Sequence, residues 1–252
     1  MLDLKGMIDL KKYYKNLWDD VYEMLKPYGF KRKGSNIYCI QENGIVKLIE
    51  MQKSRFNVAQ WSQFTMNLGM SAMEIPVDLK KLKSYFMQMQ MHLGSSREDG
   101  FKRQFWYDVT FPESVVVKDG QMHFGERTHP YLSPEDIHES VCDLIKNKAM
   151  VLFDSVCDKD DYLKLLIENT GDRNSTEIDC VLNDENREML KRIYGSRLIP
   201  VIDKMIETRQ GYIDARRKQV PKGEENINEH LIEGFEKSIK ELTEFKSGLE
   251  NL

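Results

Sequence analysis

Cysteine is scarce: the 252 residues hold four, Cys39, Cys142, Cys157 and Cys180, and no two of them form a C-x-x-C pair. This excludes a disulfide-stapled scaffold and the common paired-cysteine zinc patterns, and it fits a reducing compartment in which all four thiols are free. Long apolar runs are missing too. Nothing approaches the ~20 consecutive apolar residues of a membrane span. The opening MLDLKGMIDLKKYY mixes acids with bases where a secretory leader carries an unbroken apolar stretch. A cytoplasmic protein that makes no membrane contact is expected. Glycine patterns are equally poor, because Gly94-Ser95-Ser96 lacks the lysine of a phosphate loop and Gly69, Gly94 and Gly100 form no dinucleotide fingerprint. Asp158, Asp160 and Asp161 lack the glycine and terminal glutamate of a calcium loop and read as the cap and first turn of a helix. No cofactor and no metal is expected.

What is present is the composition of a folded globular chain, 40% hydrophobic and 31% charged, with a formal net charge of only -4. The charge divides unevenly. Up to Pro130 the net is +4, and beyond it -8. Neither value concentrates enough cations for non-specific phosphate binding, so nucleic acid is not expected as a partner. Hydrophobic periodicity changes at the same place, from mostly alternating to mostly helical. We therefore expect an α+β fold in two regions: an antiparallel sheet with an N-terminal helix over residues 1–130, and a region of four or five helices over 131–252.

In the first region, Met7, Leu10, Tyr14, Leu17, Trp18, Val21 and Leu25 recur at helical spacing over residues 7–26, and Pro27 and Gly29 end the stretch. Residues 36–41 and 45–53 flank Glu42-Asn43-Gly44, where the Asn-Gly pair signals a hairpin. Residues 62–70 alternate Phe64, Met66 and Leu68 with Thr65, Asn67 and Gly69, one face apolar and one polar. Residues 73–91 show helical spacing through Leu79, Leu82, Phe86 and Met89. Residues 104–111 read as a further strand, and Asp119-Gly120 joins two more, 115–118 and 121–124.

The most specific pieces of this region are Gly29-Phe30-Lys31, Gln52-Lys53-Ser54-Arg55-Phe56 and Phe64-Thr65-Met66-Asn67-Leu68-Gly69. In order and spacing they resemble the bacterial domain-of-unknown-function family 4304, and the resemblance covers roughly the first 130 residues. It implies a fold and a bacterial origin, and it implies no reaction.

One polar set stands out beside it. Gln52, Lys53 and Arg55 leave the second hairpin strand next to the strand that carries Thr65 and Asn67. An ammonium, a planar guanidinium and neutral donors at one end of a sheet would suit a phosphate or carboxylate group. The competing reading has the amides bonding the backbone where the chain turns, with Lys53 and Arg55 solvated at a strand end. Glu50-Met51-Gln52-Lys53 also has the outline of a metal nuclease strand. However, Gln52 fills the second acidic slot, and one carboxylate rarely holds a catalytic Mg2+ alone. No complete catalytic set is present.

In the second region, Ser133-Pro134-Glu135-Asp136 opens a helix that runs to about residue 156. Further helices are expected over 160–168, from 183 or 184 to Gly195, and over 196–220. The last segment repeats Ile232, Phe235, Ile239, Leu242, Lys246 and Leu249 at coiled-coil spacing over about two and a half heptads. That length favours a helical hairpin packed within the chain. If exposed, the seam would dock a second copy or another protein. The expected function is a non-enzymatic binding module of the bacterial cytoplasm, of a defence or immunity type. The alternative is an enzyme or sensor that handles an anionic ligand, a phosphate ester or a nucleic-acid end, through residues 52–57.

Overall fold

The computed structural model describes residues 2–3, 7–55, 62–84, 87–93, 107–108, 114–118, 121–125, 133–170, 178–180, 183–218 and 225–252. Two short strands, β1 (Leu2–Asp3) and β2 (Met7–Ile8), pair with each other ahead of α1 (Leu10–Leu25). Asp9 caps α1, its side chain accepting from the Lys12 amide at 3.1 Å. The apolar stripe read from the sequence is the buried stripe here, with Leu17, Val21 and Leu25 fully buried and Trp18 and Tyr14 nearly so.

The strands β3 (Lys31–Lys33), β4 (Asn36–Ile40), β5 (Ile45–Lys53), β6 (Gln63–Ala72) and β7 (Met89–Leu93) follow, all antiparallel. Strand β8 (Tyr107–Asp108) pairs with β6, while among the described residues β9 (Ser114–Lys118) and β10 (Gln121–Gly125) form a separate pair. The β9–β10 register spans the Asp119-Gly120 turn that the sequence proposes, whose own residues lie outside the described ones. Most of the 104–111 segment, read as a strand, also lies outside them.

One expectation is overturned between residues 73 and 91. Among the described residues, the 3-10 turn Leu79–Lys81 stands where a helix was expected, and the stretch ends in β7. Gln88-Met89-Gln90-Met91 has period two as much as period three or four, and β6 offers it an open edge. Backbone pairing with that edge decides the conformation.

The helices come next. α2 (Pro134–Leu144) passes through a π turn (Ile145–Ala149) into α3 (Met150–Asp154). α4 (Lys159–Asn169) is followed by a last strand, β11 (Ile178–Cys180), then by α5 (Asp184–Tyr194), α6 (Ile199–Lys218) and α7 (Glu225–Glu250). Ser133 and Asp136 make the reciprocal capping box. Asp158 caps α4, accepting from the amides of Asp160 and Asp161 at 2.8 and 2.9 Å. Among the described residues no helix is long and apolar enough to cross a membrane.

The main sheet has the order β11-β7-β6-β5-β4-β3 with β8 beside β6. Its two faces differ. Ile37, Ile45, Ile49, Met51, Phe64, Met66, Leu68 and Met70 share one hydrophobic cluster with α1 and with Val141, Phe153, Tyr162, Leu190, Ile202 and Leu249 of the helices. Tyr38, Val46 and Leu48 point the other way, into a small cluster with Met73, Leu82, Met87 and Met189.

Candidate functional site

Strand alternation distributes the five candidate residues over both sheet faces. Gln52 lies opposite Thr65, and Glu50 opposite Asn67, on the face turned away from α1. There Asn67 Nδ2 donates to Gln52 Oε1 at 2.7 Å. Lys53, the next residue, takes the other face, where its Nζ stands 4.1 Å from the centre of the Tyr14 ring. Partial burial there pushes the Lys53 ammonium pKa below its ordinary value. Arg55 is exposed beyond the end of β5. The structure therefore gathers Gln52, Thr65 and Asn67, and it separates Lys53 from them by the thickness of the sheet.

The polar groups on the gathered face work largely within the fold. Asn36 Nδ2 donates to the Leu82 carbonyl. Glu50 Oε2 accepts from Ser84 through both its amide, 2.9 Å, and its hydroxyl, 2.6 Å. Ser71 Oγ accepts from the Gln88 amide, and the Gln88 side chain bonds both N–H and C=O of Ala72. These contacts clamp the chain between β6 and β7 onto the sheet, so each polar group that would cost energy if buried alone is partnered there. Glu50, the carboxylate of the nuclease outline, is spent on Ser84. Among the described residues no group of three His, Cys, Asp or Glu side chains is placed to hold a metal ion.

Thr65 is the exception. It is fully buried, and its Oγ1 has no hydrogen-bond partner among the described residues. A buried hydroxyl without a partner keeps its desolvation cost and gains nothing in return. Thr65→Val should therefore raise the stability of the protein by about 1 kcal/mol, read as an increased urea midpoint at constant m. A fall would mean that the hydroxyl is bonded in solution.

Sequence reasoning missed two arrangements. Tyr14 Oη and Ser62 Oγ are 2.7 Å apart beneath Lys53, with Phe64 edge-on to the Tyr14 ring. The signal was available, since Lys53 continues the inward series Ile45, Ile49, Met51 on β5. The second is Lys47, only 6% exposed, whose Nζ donates to the Phe153 carbonyl near the end of α3. Burial pushes the Lys47 pKa down, offset in part by Cys39, Asp154 and Cys157. Cys39, Cys142 and Cys157 are free, and burial holds the Cys39 and Cys142 thiols above their usual range, so neither is an activated nucleophile.

Residues 21–192, from within α1 to the last turn of α5, match the family described as Domain of unknown function (DUF4304). The chain belongs to the DUF4304 family. No curated protein and no solved structure matches it. The DUF4304 match reaches well past the 130 residues that carry the sequence resemblance. It takes in α2 through most of α5 and stops before α6 and α7. The DUF4304 region thus includes the whole main sheet from β3 to β11, while most of α1 and all of α6 and α7, which share the core cluster on that sheet, lie outside it.

Proposed function

We propose that this DUF4304 protein is a non-enzymatic binding module of the bacterial cytoplasm, of a defence or immunity type, and that the helical arm beyond the family match is its binding element. The reading rests on one observation, the change in burial along the α6–α7 hairpin. Next to the sheet, Val201, Ile202 and Met205 meet Leu242 and Leu249 in the core. Farther out, Ile213 is the one buried residue described between 206 and 218, and none is buried between 229 and 241. Ile206, Tyr212, Ile232, Phe235 and Ile239 are only half-buried there, and Leu231 is 38% exposed.

The two helices do pack as an antiparallel pair. Tyr212 stacks on Phe235 with centroids 5.5 Å apart, Arg217 bonds Glu236 at 2.7 Å, and Lys246 bonds Asp203 at 2.7 Å. A seam covered by a single neighbour leaves its apolar edge in water, and such an edge is where a further helix or a partner surface gains contact area. The bacterial and cytoplasmic setting is supported by the resemblance and by the free thiols.

The test compares capture by the wild-type chain and by Leu231→Glu from the native host. A stoichiometric protein partner, recovered about tenfold less well by a variant that melts at the same temperature, is the expected result. A monomeric chain with no partner, or a partner equally retained by the variant, would overturn the reading.

A further inference from the structure

The inner end of the α6–α7 hairpin has a third helix against it. On α5, Arg187 and Lys191 stand 5.9 and 5.8 Å from the centre of the Phe245 ring of α7, and a Cβ at Gly248 would be 3.7 Å from the Lys191 Nζ. α5 therefore runs in the direction of α7, and its first residue, Asp184, lies about one turn outward of Phe245. Beyond that point α5 offers no more chain. The side of α7 that it covers continues: counted outward from Phe245 in steps of three and four, it carries Leu242, Ser238, Phe235 and Leu231. Leu242 is buried, Ser238 and Phe235 are half-buried, and Leu231 is 38% exposed.

The facing side of α6 is marked by two contacts. Tyr212 stacks on Phe235, and Arg216 Nη1 donates to the buried Asn228 Oδ1 at 3.4 Å. Arg209 stands two turns before Arg216 on the same side, half-buried like it, and donates to the Met205 carbonyl at 3.3 Å. Among the described residues neither guanidinium has a carboxylate within ion-pair distance. Loss of water pushes the Arg209 pKa down. The acids are elsewhere: Asp203, Glu207 and Asp214 share the opposite side of α6, where Asp203 bonds Lys246, and Glu236 of α7 is taken by Arg217. The outer groove thus has an apolar floor and two uncompensated cations, in a region whose net charge is negative.

We infer that this outer groove is the docking site of an acidic amphipathic helix of a partner protein, laid in line with α5, its apolar stripe on Phe235 and Leu231 and its carboxylates on Arg209 and Arg216. The inference rests on the arm being the binding element and adds the chemistry of what it binds. A helix meets such a groove through residues three and four apart, and a carboxylate bonds a guanidinium in a two-pronged, charge-assisted pair. Arg209 and Arg216 are seven residues apart, about 10 Å along the axis, so the partner's carboxylates recur at the same spacing.

The experiment titrates two labelled synthetic peptides into the full chain and reads fluorescence anisotropy. Both carry leucines at helical spacing; one has glutamates seven residues apart beside them, and its twin has lysines there. The glutamate peptide is expected to bind saturably, about tenfold or more tightly than the twin at low salt, with the gap narrowing as salt rises. Arg209→Glu combined with Arg216→Glu should invert the preference, which a merely structural role for the arginines would not do. If that chain fails to fold, Arg209→Gln with Arg216→Gln should erase the preference. Equal binding of the two peptides, binding of neither, or a preference that survives the reversal would overturn the inference. So would a dimer in sedimentation that Leu231→Glu splits, which would give the groove to a second copy. A host partner lost by Leu231→Glu but retained by the arginine reversal would sink the acidic helix and leave the arm standing.

Discussion

Gly44→Ala is expected to lower the melting temperature by about 10 °C, a loss of roughly 2–5 kcal/mol. Gly44 closes the β4–β5 hairpin with φ +87°, a left-handed conformation that costs an L residue about 1–2 kcal/mol. A Cβ at this position would also stand 2.3 Å from the Met73 carbonyl oxygen. That oxygen is main chain and cannot rotate away. The Met73 amide donates to the Gly44 carbonyl at 2.9 Å, so the turn and the end of β6 are locked together. Relief requires the hairpin to move off residue 73, which loosens the small cluster containing Met73, Val46 and Leu48.

Gly34→Ala separates the two contributions, because Gly34 has φ +62° with no atom within 4 Å of the added carbon. It should cost only about 1–2 kcal/mol. Equal losses in the two variants, measured by thermal and urea melts, would show that the close approach to Met73 has no energetic weight.

The hairpin itself was legible, since Asn43-Gly44 between two apolar runs leaves few other options. The same holds for the stripe of α1, the capping box at Ser133 and the Asp158 cap, where local chemistry sets local geometry. Besides β1, β2 and β7, two further strands escaped. β3 is Lys31-Arg32-Lys33, with no apolar residue to announce it, and it forms because β4 presents a free edge. β11, Ile178 to Cys180, is added to the sheet from beyond the helical stretch by pairing with β7. β3 pairs with the adjacent β4 but carries no apolar period to mark it, and β11 depends on a partner distant in sequence, which no local period reports.

The candidate site was legible in its residues and not in its convergence. That Gln52 and Thr65 share a face follows from the β5–β6 register, and that Lys53 takes the opposite face follows from the two-residue strand period. Both become decidable only once the register is fixed. Arg187 and Lys191 lie on α5, and the Phe245 ring that both approach lies on α7. Helical periodicity gives each helix its buried face and says nothing of which faces meet.

A loss of stability comparable to that of Gly44→Ala is expected from Phe153→Ala, at about 4 kcal/mol. Phe153 is 1% exposed, its ring lies 5.8 Å from that of Phe30, and its carbonyl accepts from Lys47 on β5. One turn into α4, the fully buried Tyr162 donates its hydroxyl to the Met70 carbonyl of β6 at 3.0 Å. The helices after residue 130 are thus bonded to the middle strands of the sheet, and removing the Phe153 ring opens a cavity against both layers. The tryptophans make the consequence readable. Trp18, Trp61 and Trp106 all precede residue 130, so their fluorescence follows the first region, while far-UV ellipticity follows mainly the helices of the second. In Phe153→Ala both transitions should move to lower denaturant together and remain superimposed, as one cooperative unit requires. A fluorescence transition left in place while the ellipticity falls would mean that the two regions unfold as separate domains joined at a soft boundary.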